Sequence, residues 1–385
     1  MIRRTIAVAV LAVAGYGQAL SQSQVNRSSQ HDFRVVSVVD GLTNPWSIAF
    51  LPGGDMLVTE KAGRLRIVRN GRLLPTPVDG VPPVVARGQG GLLDVVPHPN
   101  FAANRLVYLS FSKPTGDSGV ATTAVVRGRF EGDRLTGLQE VFLAATKGAP
   151  GHFGSRLAFD KNGFLFITVG DRMVPSTGDL QAHPAQSTAN HQGKIIRLHD
   201  DGRVPSDNPM VGKEGAKPEI WSYGHRNPQG IAVDPVSGDL WATEHGPQGG
   251  DELNVIGPGL NYGWPVIGFG VNYGSGTAIH SGTHRQGMEQ PVHVWVPSIG
   301  ISGLMVYSGD RFPEWKGSLF TGGMSGQQLV RLTVNGRKAQ LADVLLPGLG
   351  RVRDVRQGPD GLIYLAIDGE AKPSAILRLE PAPRR

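Results

Sequence analysis

Short apolar runs alternate with clusters of Gly, Pro, Asn and Asp along this chain, and no long run carries the 3.6-residue period of an amphipathic helix. One unit recurs six times: a turn with Gly or Asn, then a strand-like apolar run, often ending on Thr, Gly or an acid. It reads Gly54-Asp55-Met56-Leu57-Val58-Thr59-Glu60 at its first appearance and Asn104-Arg105-Leu106-Val107-Tyr108-Leu109 at its second. Gly163-Phe164-Leu165-Phe166-Ile167-Thr168-Val169-Gly170-Asp171 follows, then the run from Gly238 to Glu244. Gly317-Ser318-Leu319-Phe320-Thr321 and Gly361-Leu362-Ile363-Tyr364-Leu365-Ala366 complete the set. Copies spaced about 45 to 80 residues apart predict an all-β, six-bladed β-propeller of four-stranded antiparallel sheets. The uneven spacing implies enlarged loops on one face, where function concentrates. Two unrelated β-sandwiches are the competing architecture. Six copies of one unit, with no composition break after residue 30, favour a single domain over residues 31–385.

Composition narrows the chemistry. There is no cysteine among the 385 residues, which excludes disulfides, thiolate nucleophiles and zinc–thiolate sites. The formal net charge is +6, yet no Lys/Arg run with interleaved aromatics suggests nucleic acid. A small anionic ligand explains the arginine excess better than a polymer does. The N-terminus reads as an export signal over residues 1–21. Arg3 and Arg4 form its charged region, residues 5–14 its apolar stretch, and Ala19-Leu20-Ser21 its small-residue cleavage site. The apolar stretch is well short of the ~20 residues needed to span a bilayer, so a cleaved signal and a periplasmic protein without stable membrane insertion are expected. Residues 22–30 are polar and are expected to form a disordered lead-in.

Candidate chemistry concentrates in a few glycine-bounded loops. The densest is Tyr223-Gly224-His225-Arg226-Asn227-Pro228-Gln229-Gly230, followed after one short strand by Glu244-His245-Gly246-Pro247 and Gly250-Asp251-Glu252. A cation, an amide, rigid carbonyls and acids in such loops suit a polyanionic organic cofactor bridged by a hard metal. Proline leaves its carbonyl free to coordinate, and calcium takes carbonyl and carboxylate oxygens. Glu252 and the Asn261-Tyr262-Gly263-Trp264 turn offer a second oxygen cage. Gln89 lies between Gly88 and Gly90, where it can approach a ligand closely. His152 stands in Gly151-His152-Phe153-Gly154, before a blade strand, as a candidate general base. Arg351 and Arg353 are two apart on a predicted strand, so both can reach one anion. Each feature also has a plainer reading: a turning loop, a hydrogen-bonded histidine, a solvated acidic loop, a solvated strand edge.

Taken together, and in this order from Leu42-Thr43-Asn44-Pro45-Trp46 to the last blade, these segments resemble the soluble quinoprotein glucose/sorbosone dehydrogenase family, nearest its periplasmic aldose sugar dehydrogenases. The resemblance implies a six-bladed propeller that binds pyrroloquinoline quinone (PQQ) and Ca²⁺ on its top face. It implies oxidation of aldose sugars at C1 to lactones, with hydride passing from C1 to PQQ and His152 as the general base. Gln89, Arg226 and Asn227 match the family's cofactor contacts, with Arg226 also serving catalysis beside the quinone oxygens. Arg351 and Arg353 match the pair facing the PQQ carboxylates. The Gly246 and Pro247 carbonyls match ligands of the bridging calcium, and Glu252 with the Tyr262 carbonyl match a second, structural calcium. An electron acceptor would reoxidise the cofactor, and the protein would be a monomer or dimer.

Two segments depart from the family pattern. Many relatives carry a lysine where this chain reads Thr321-Gly322-Gly323-Met324-Ser325-Gly326, so one cofactor-carboxylate contact is missing or replaced. Gly300 and Ile301 alter a loop bordering the substrate side, which leaves sugar preference open. Two other functions stay open on the same fold: a calcium-dependent lactonase-type hydrolase, and a non-catalytic binding propeller.

Overall fold

The computed structural model describes residues 24–116, 120–146, 148–369 and 374–383. Six antiparallel sheets succeed one another along the chain. Their first strands, Pro45–Phe50, Leu92–Pro97, Leu157–Phe159, Pro228–Val233, Ile301–Val306 and Arg351–Gln357, form a ring of neighbours and open blades 1 to 6 in that order. The last of these strands packs against the first, which closes the ring.

The recurring units of the sequence are the second strands: Met56–Glu60, Leu106–Pro114, Leu165–Val169, Leu240–Glu244, Leu319–Gly323 and Ile363–Asp368. Their apolar runs follow from burial on both faces. Met56 and Val58 pack toward blade 6, while Leu57 between them packs toward blade 2. Likewise Leu165, Ile167 and Val169 join the core shared with blade 2, and Phe166 the core shared with blade 4. Successive strand side chains point to opposite faces, so a blade wedged between two others needs apolar residues at consecutive positions. Each such side chain contributes roughly 1.5–3 kcal/mol by burial.

Blade 6 is built from both ends of the chain. Its order runs from Arg351–Gln357 through Ile363–Asp368 and Ala375–Pro381 to Asp32–Asp40, with Val25–Arg27 outermost, so this sheet has five strands. The expected disordered lead-in is corrected here over residues 24–30, while residues 22 and 23 lie outside the described residues. Val25, Asn26 and Arg27 pair with Arg34, Phe33 and Asp32, and the Ser29 N–H donates to Asp343 of blade 5 at 3.1 Å. An open strand edge offers backbone hydrogen bonds that need no apolar side chains, which is why polar composition misled. The expected signal, residues 1–21, lies outside the described residues.

At the ring's centre the blades are tied by charge. Arg156 of blade 3 is almost fully buried and meets Asp354 of blade 6 at 2.9 Å and Asp94 of blade 2 at 3.6 Å. Arg356 bonds the same two acids, each at 2.9 Å. Asp354 accepts the Ile48 N–H (3.0 Å), and Asp94 accepts the Ser47 hydroxyl (2.5 Å) and the Leu157 N–H (2.8 Å). Deleting one partner of such a buried pair strands the other and costs about 3–5 kcal/mol.

Candidate active site

The loops that precede the first strands and those that follow the second strands lie at one end of the ring, and the candidate residues meet there. His152 sits at positive φ in the loop before blade 3, and Asp171 follows that blade's second strand. The His152 Nδ1 to Asp171 Oδ1 distance is 2.6 Å. The two loops can approach because position 170 is glycine: a Cβ there would lie 2.2 Å from the His152 carbonyl oxygen. Asp171 also accepts the Trp264 Nε1–H at 2.7 Å and the Met173 N–H at 2.8 Å. Burial pushes its carboxyl up, but the His152 imidazole, Arg226 and the Met173 N–H outweigh burial and hold it below the usual range. For His152 burial dominates and lowers its pKa from 6.5. A neutral imidazole therefore donates Nδ1–H to Asp171 and turns the Nε2 lone pair outward, the arrangement of an oriented base.

Gln89 reaches this base through the backbone, its Oε1 accepting the His152 N–H at 2.8 Å. Asn227 Oδ1 accepts the Gly154 N–H (3.2 Å) and the Gln229 Nε2–H (3.1 Å), and Gln229 Oε1 accepts from Arg353 at 3.5 Å. Gln89, His152, Asn227 and Arg353, from four blades, thus belong to one connected network. The Arg226 N–H donates to Glu244 at 2.7 Å, its guanidinium to the His245 carbonyl at 3.2 Å, and its charge lies 5.1 Å from the Trp264 ring centre. Arg353 stands at a register shift in the strand pairing, and Arg351 and Arg353 both reach Asp368 Oδ2, at 3.7 and 3.4 Å. Burial lowers the Arg353 pKa to about 10.

The four candidate metal ligands line one small cavity. Gly246, Pro247, Glu252 and Tyr262 enclose it together with Glu244 and Arg226. Glu252 lies opposite Glu244 across two paired strands. Burial and the neighbouring Glu244 push the Glu252 carboxyl well up, against a single Asn254 donor at 3.2 Å. A buried acid, Glu244, and a half-buried one, Glu252, beside backbone carbonyls form an oxygen-rich donor set suited to Ca²⁺. Among the described residues, no group of three or more His, Cys, Asp or Glu side chains converges on a point, so such a cation relies on carbonyls. Asp251 has a structural task instead: it accepts the Gly246 N–H at 2.9 Å and the Ile299 and Ile301 N–H groups at 3.0 Å each, fixing the bend that carries Pro247.

An organic anion also fits the top face. Arg226 Nε, Asn227 Nδ2 and His245 Nε2 are buried and take no hydrogen bond among the described residues. Unmet buried polar atoms cost about 1–3 kcal/mol each, and a bound group carrying acceptors would relieve the two N–H donors of Arg226 and Asn227.

Sequence reasoning missed Asp368, and quoted Asp171, Trp264, Gln229 and Glu244 within longer motifs without giving them these tasks. Asp171 and Glu244 each closed a recurring unit, and an acid repeatedly closing a buried strand was the available signal.

The sequence profile of the Glucose / Sorbosone dehydrogenase family matches residues 42–378. An aldose sugar dehydrogenase of Escherichia coli (strain K12), YliI, is 44% identical over 349 residues, covering 89% of this chain and 91% of its own. The crystal structure of the soluble aldose sugar dehydrogenase from Escherichia coli in its apo-form superposes with a TM-score of 0.85 at 42% identity, covering 91% of this chain and 100% of that one. The PQQ-bound form of an aldose sugar dehydrogenase from Streptomyces coelicolor does so with a TM-score of 0.72 at 30% identity, covering 90% and 98%. A profile spanning all six blades, together with relatives matched over almost their whole length, shows that this chain belongs to the glucose/sorbosone dehydrogenase family.

Proposed function

We propose that this protein is a PQQ- and Ca²⁺-dependent dehydrogenase that oxidises aldose sugars at C1 to lactones. The observation that carries the reading is the His152–Asp171 pair at 2.6 Å, with its base turned toward the same face as the unmet Arg226, Asn227 and His245 nitrogens. Arg226, Asn227 and Gln89 would hold the quinone ring system, Arg351 and Arg353 its carboxylates. The carbonyls of Gly246 and Pro247 would ligate the calcium beside it, and Glu252 with the Tyr262 carbonyl a structural one. Bound PQQ supplies the hydride acceptor and calcium the Lewis acid.

The chain's own part is proton transfer and placement. Neutral His152 accepts the proton of the C1 hydroxyl at Nε2. Asp171 keeps the Nδ1–H tautomer and stabilises the imidazolium that forms. Trp264 donates to the other oxygen of Asp171 and so helps hold that carboxylate in place. Arg226 places positive charge where negative charge develops. Among the described residues no helix is long and apolar enough to cross a membrane, and the basic-then-apolar N-terminus supports export to the periplasm. The electron acceptor belongs to a partner outside the chain.

The test adds PQQ and Ca²⁺ to purified apoprotein and follows the quinone spectrum and dye reduction with several aldoses. A bound-quinone spectrum with sugar-dependent dye reduction is expected. Neither signal, or lactone hydrolysis that needs no PQQ, would overturn the reading.

A further inference from the structure

The top face carries a cation that none of the assignments above uses. Lys61 follows the second strand of blade 1, and strand register shows which residues occupy the same place elsewhere. Pro45 pairs with Glu60, Pro228 with Glu244, Ile301 with Gly323 and Arg351 with Asp368. One step past those partners stand Lys61 in blade 1, His245 in blade 4, Met324 in blade 5 and Gly369 in blade 6. In blade 4 this position lines the candidate cofactor and metal cavity and leads directly into Gly246 and Pro247. Lys61 therefore stands at the ligand level of the top face, whereas blade 5 has the buried, uncharged Met324 there.

Its neighbours place it between two sets of candidate cofactor contacts. The Lys61 N–H donates to the Asn44 carbonyl at 3.1 Å, and its own carbonyl accepts the Leu92 N–H at 3.1 Å, so the backbone is pinned on both sides. The Nζ donates to the Gly88 carbonyl at 2.6 Å in a solvent-facing bond, beside Gln89. On the other side Asn44 Nδ2 donates at 2.9 Å to Asp368, the acid shared by Arg351 and Arg353. The adjacent Glu60 is already taken by Arg64 (2.6 Å), Arg66 (3.2 Å) and the Thr43 N–H (2.6 Å).

We infer that Lys61 is a cofactor-binding residue whose ammonium leaves the Gly88 carbonyl to pair with a carboxylate of bound PQQ, supplying from blade 1 a charge absent at the matching place in blade 5. The inference rests on the function proposed above. A lysine suits this exchange, being a mobile point charge on a flexible stem. A carboxylate forms a stronger, charge-assisted bond with an ammonium than the Gly88 carbonyl does.

The test titrates full-length apoprotein with PQQ at saturating Ca²⁺, reading tryptophan quenching and quinone absorbance at several salt concentrations. Lys61→Gln is expected to raise the Kd for PQQ about ten-fold, the effect of one charge-assisted contact, and to flatten its salt dependence. Lys61→Arg, which keeps the charge, is expected to stay within about three-fold of wild type. Wild-type affinity in Lys61→Gln would overturn the inference. So would equal losses in both variants, because the side chain would then act through Gly88 and not through its charge. If wild type itself binds no PQQ, the proposed function fails and this inference falls with it, whereas wild-type binding beside an unaffected Lys61→Gln removes the inference alone.

Discussion

Blades 3 and 4 use the same device for different ends. Each carries a buried carboxylate at the top of its second strand, and each carboxylate reaches back to the loop before its blade's first strand. In blade 3 Asp171 meets His152, Trp264 and the Met173 N–H, so its charge is matched by donors. In blade 4 Glu244 accepts the Arg226 N–H at 2.7 Å and faces His225 and Asn254 at 2.9 and 3.1 Å, but it shares its surroundings with a second acid, the half-buried Glu252. A matched carboxylate orients a proton acceptor. A pair of carboxylates sharing one cavity with backbone carbonyls favours a cation. On the function proposed above, what would separate a catalytic loop from a metal-holding one on this face is the second acid beside Glu244, not the fold of the blade.

The sharpest way to break that contrast is at the base. His152→Ala should lower turnover by roughly 10⁴-fold, the upper range for general base catalysis, while bound PQQ persists in the absorbance spectrum. Loss of PQQ binding instead would assign His152 to cofactor retention. Asp171→Asn should cost on the order of 10²- to 10³-fold in kcat with near-wild-type KM, because an amide can favour the wrong imidazole tautomer. A variant that merely unfolds earlier, with normal kcat, would reduce Asp171 to a structural tie.

On the blade 4 side, calcium should raise the thermal midpoint of the wild-type apoprotein by a few degrees, since a hundred-fold excess over Kd adds about 2.7 kcal/mol. Glu252→Gln should abolish most of that rise without lowering the midpoint measured in chelator, as it removes one of two crowded acids. A calcium response unchanged from wild type would move the cation elsewhere. The smallest effect concerns pH. Burial lowers the His152 pKa, so the imidazole stays neutral to lower pH and loses its function only as pH falls through the lowered value. The acid limb of kcat/KM should therefore have its midpoint below the ordinary 6.5. A midpoint above 6.5 would mean that Asp171 outweighs burial.

The architecture was legible because the second strands are buried on both faces, and consecutive apolar residues such as Met56, Leu57 and Val58 record that directly. The Arg351–Arg353 pair was legible only in part: strand period suggests a shared face, but a register shift between Val352 and Asp354 interrupts that period, and what the two arginines share is Asp368. Asp171 and Asp368 were not. Each closes a run that any strand could close, and what each meets depends on a partner the sequence does not mark, as with Trp264, 93 positions from Asp171. The lead-in misled in the opposite way, because Val25–Arg27 is held by backbone bonds to a sheet edge and needs no apolar signature.

By itself, then, the sequence determined the number of blades and the residue types available in their loops, because these follow from strand period and turn chemistry, which are local. Which end each long loop leaves from it did not determine, since the segments 199–219 and 257–292 follow third strands. Only the tertiary structure decided which acid takes which donor: that Asp171 takes His152 and Trp264, that Asp368 is shared by two arginines, and that Glu244 and Glu252 crowd one cavity. Those pairings depend on loops from separate blades being brought within hydrogen-bonding distance, which happens only when the first and last strands close one ring.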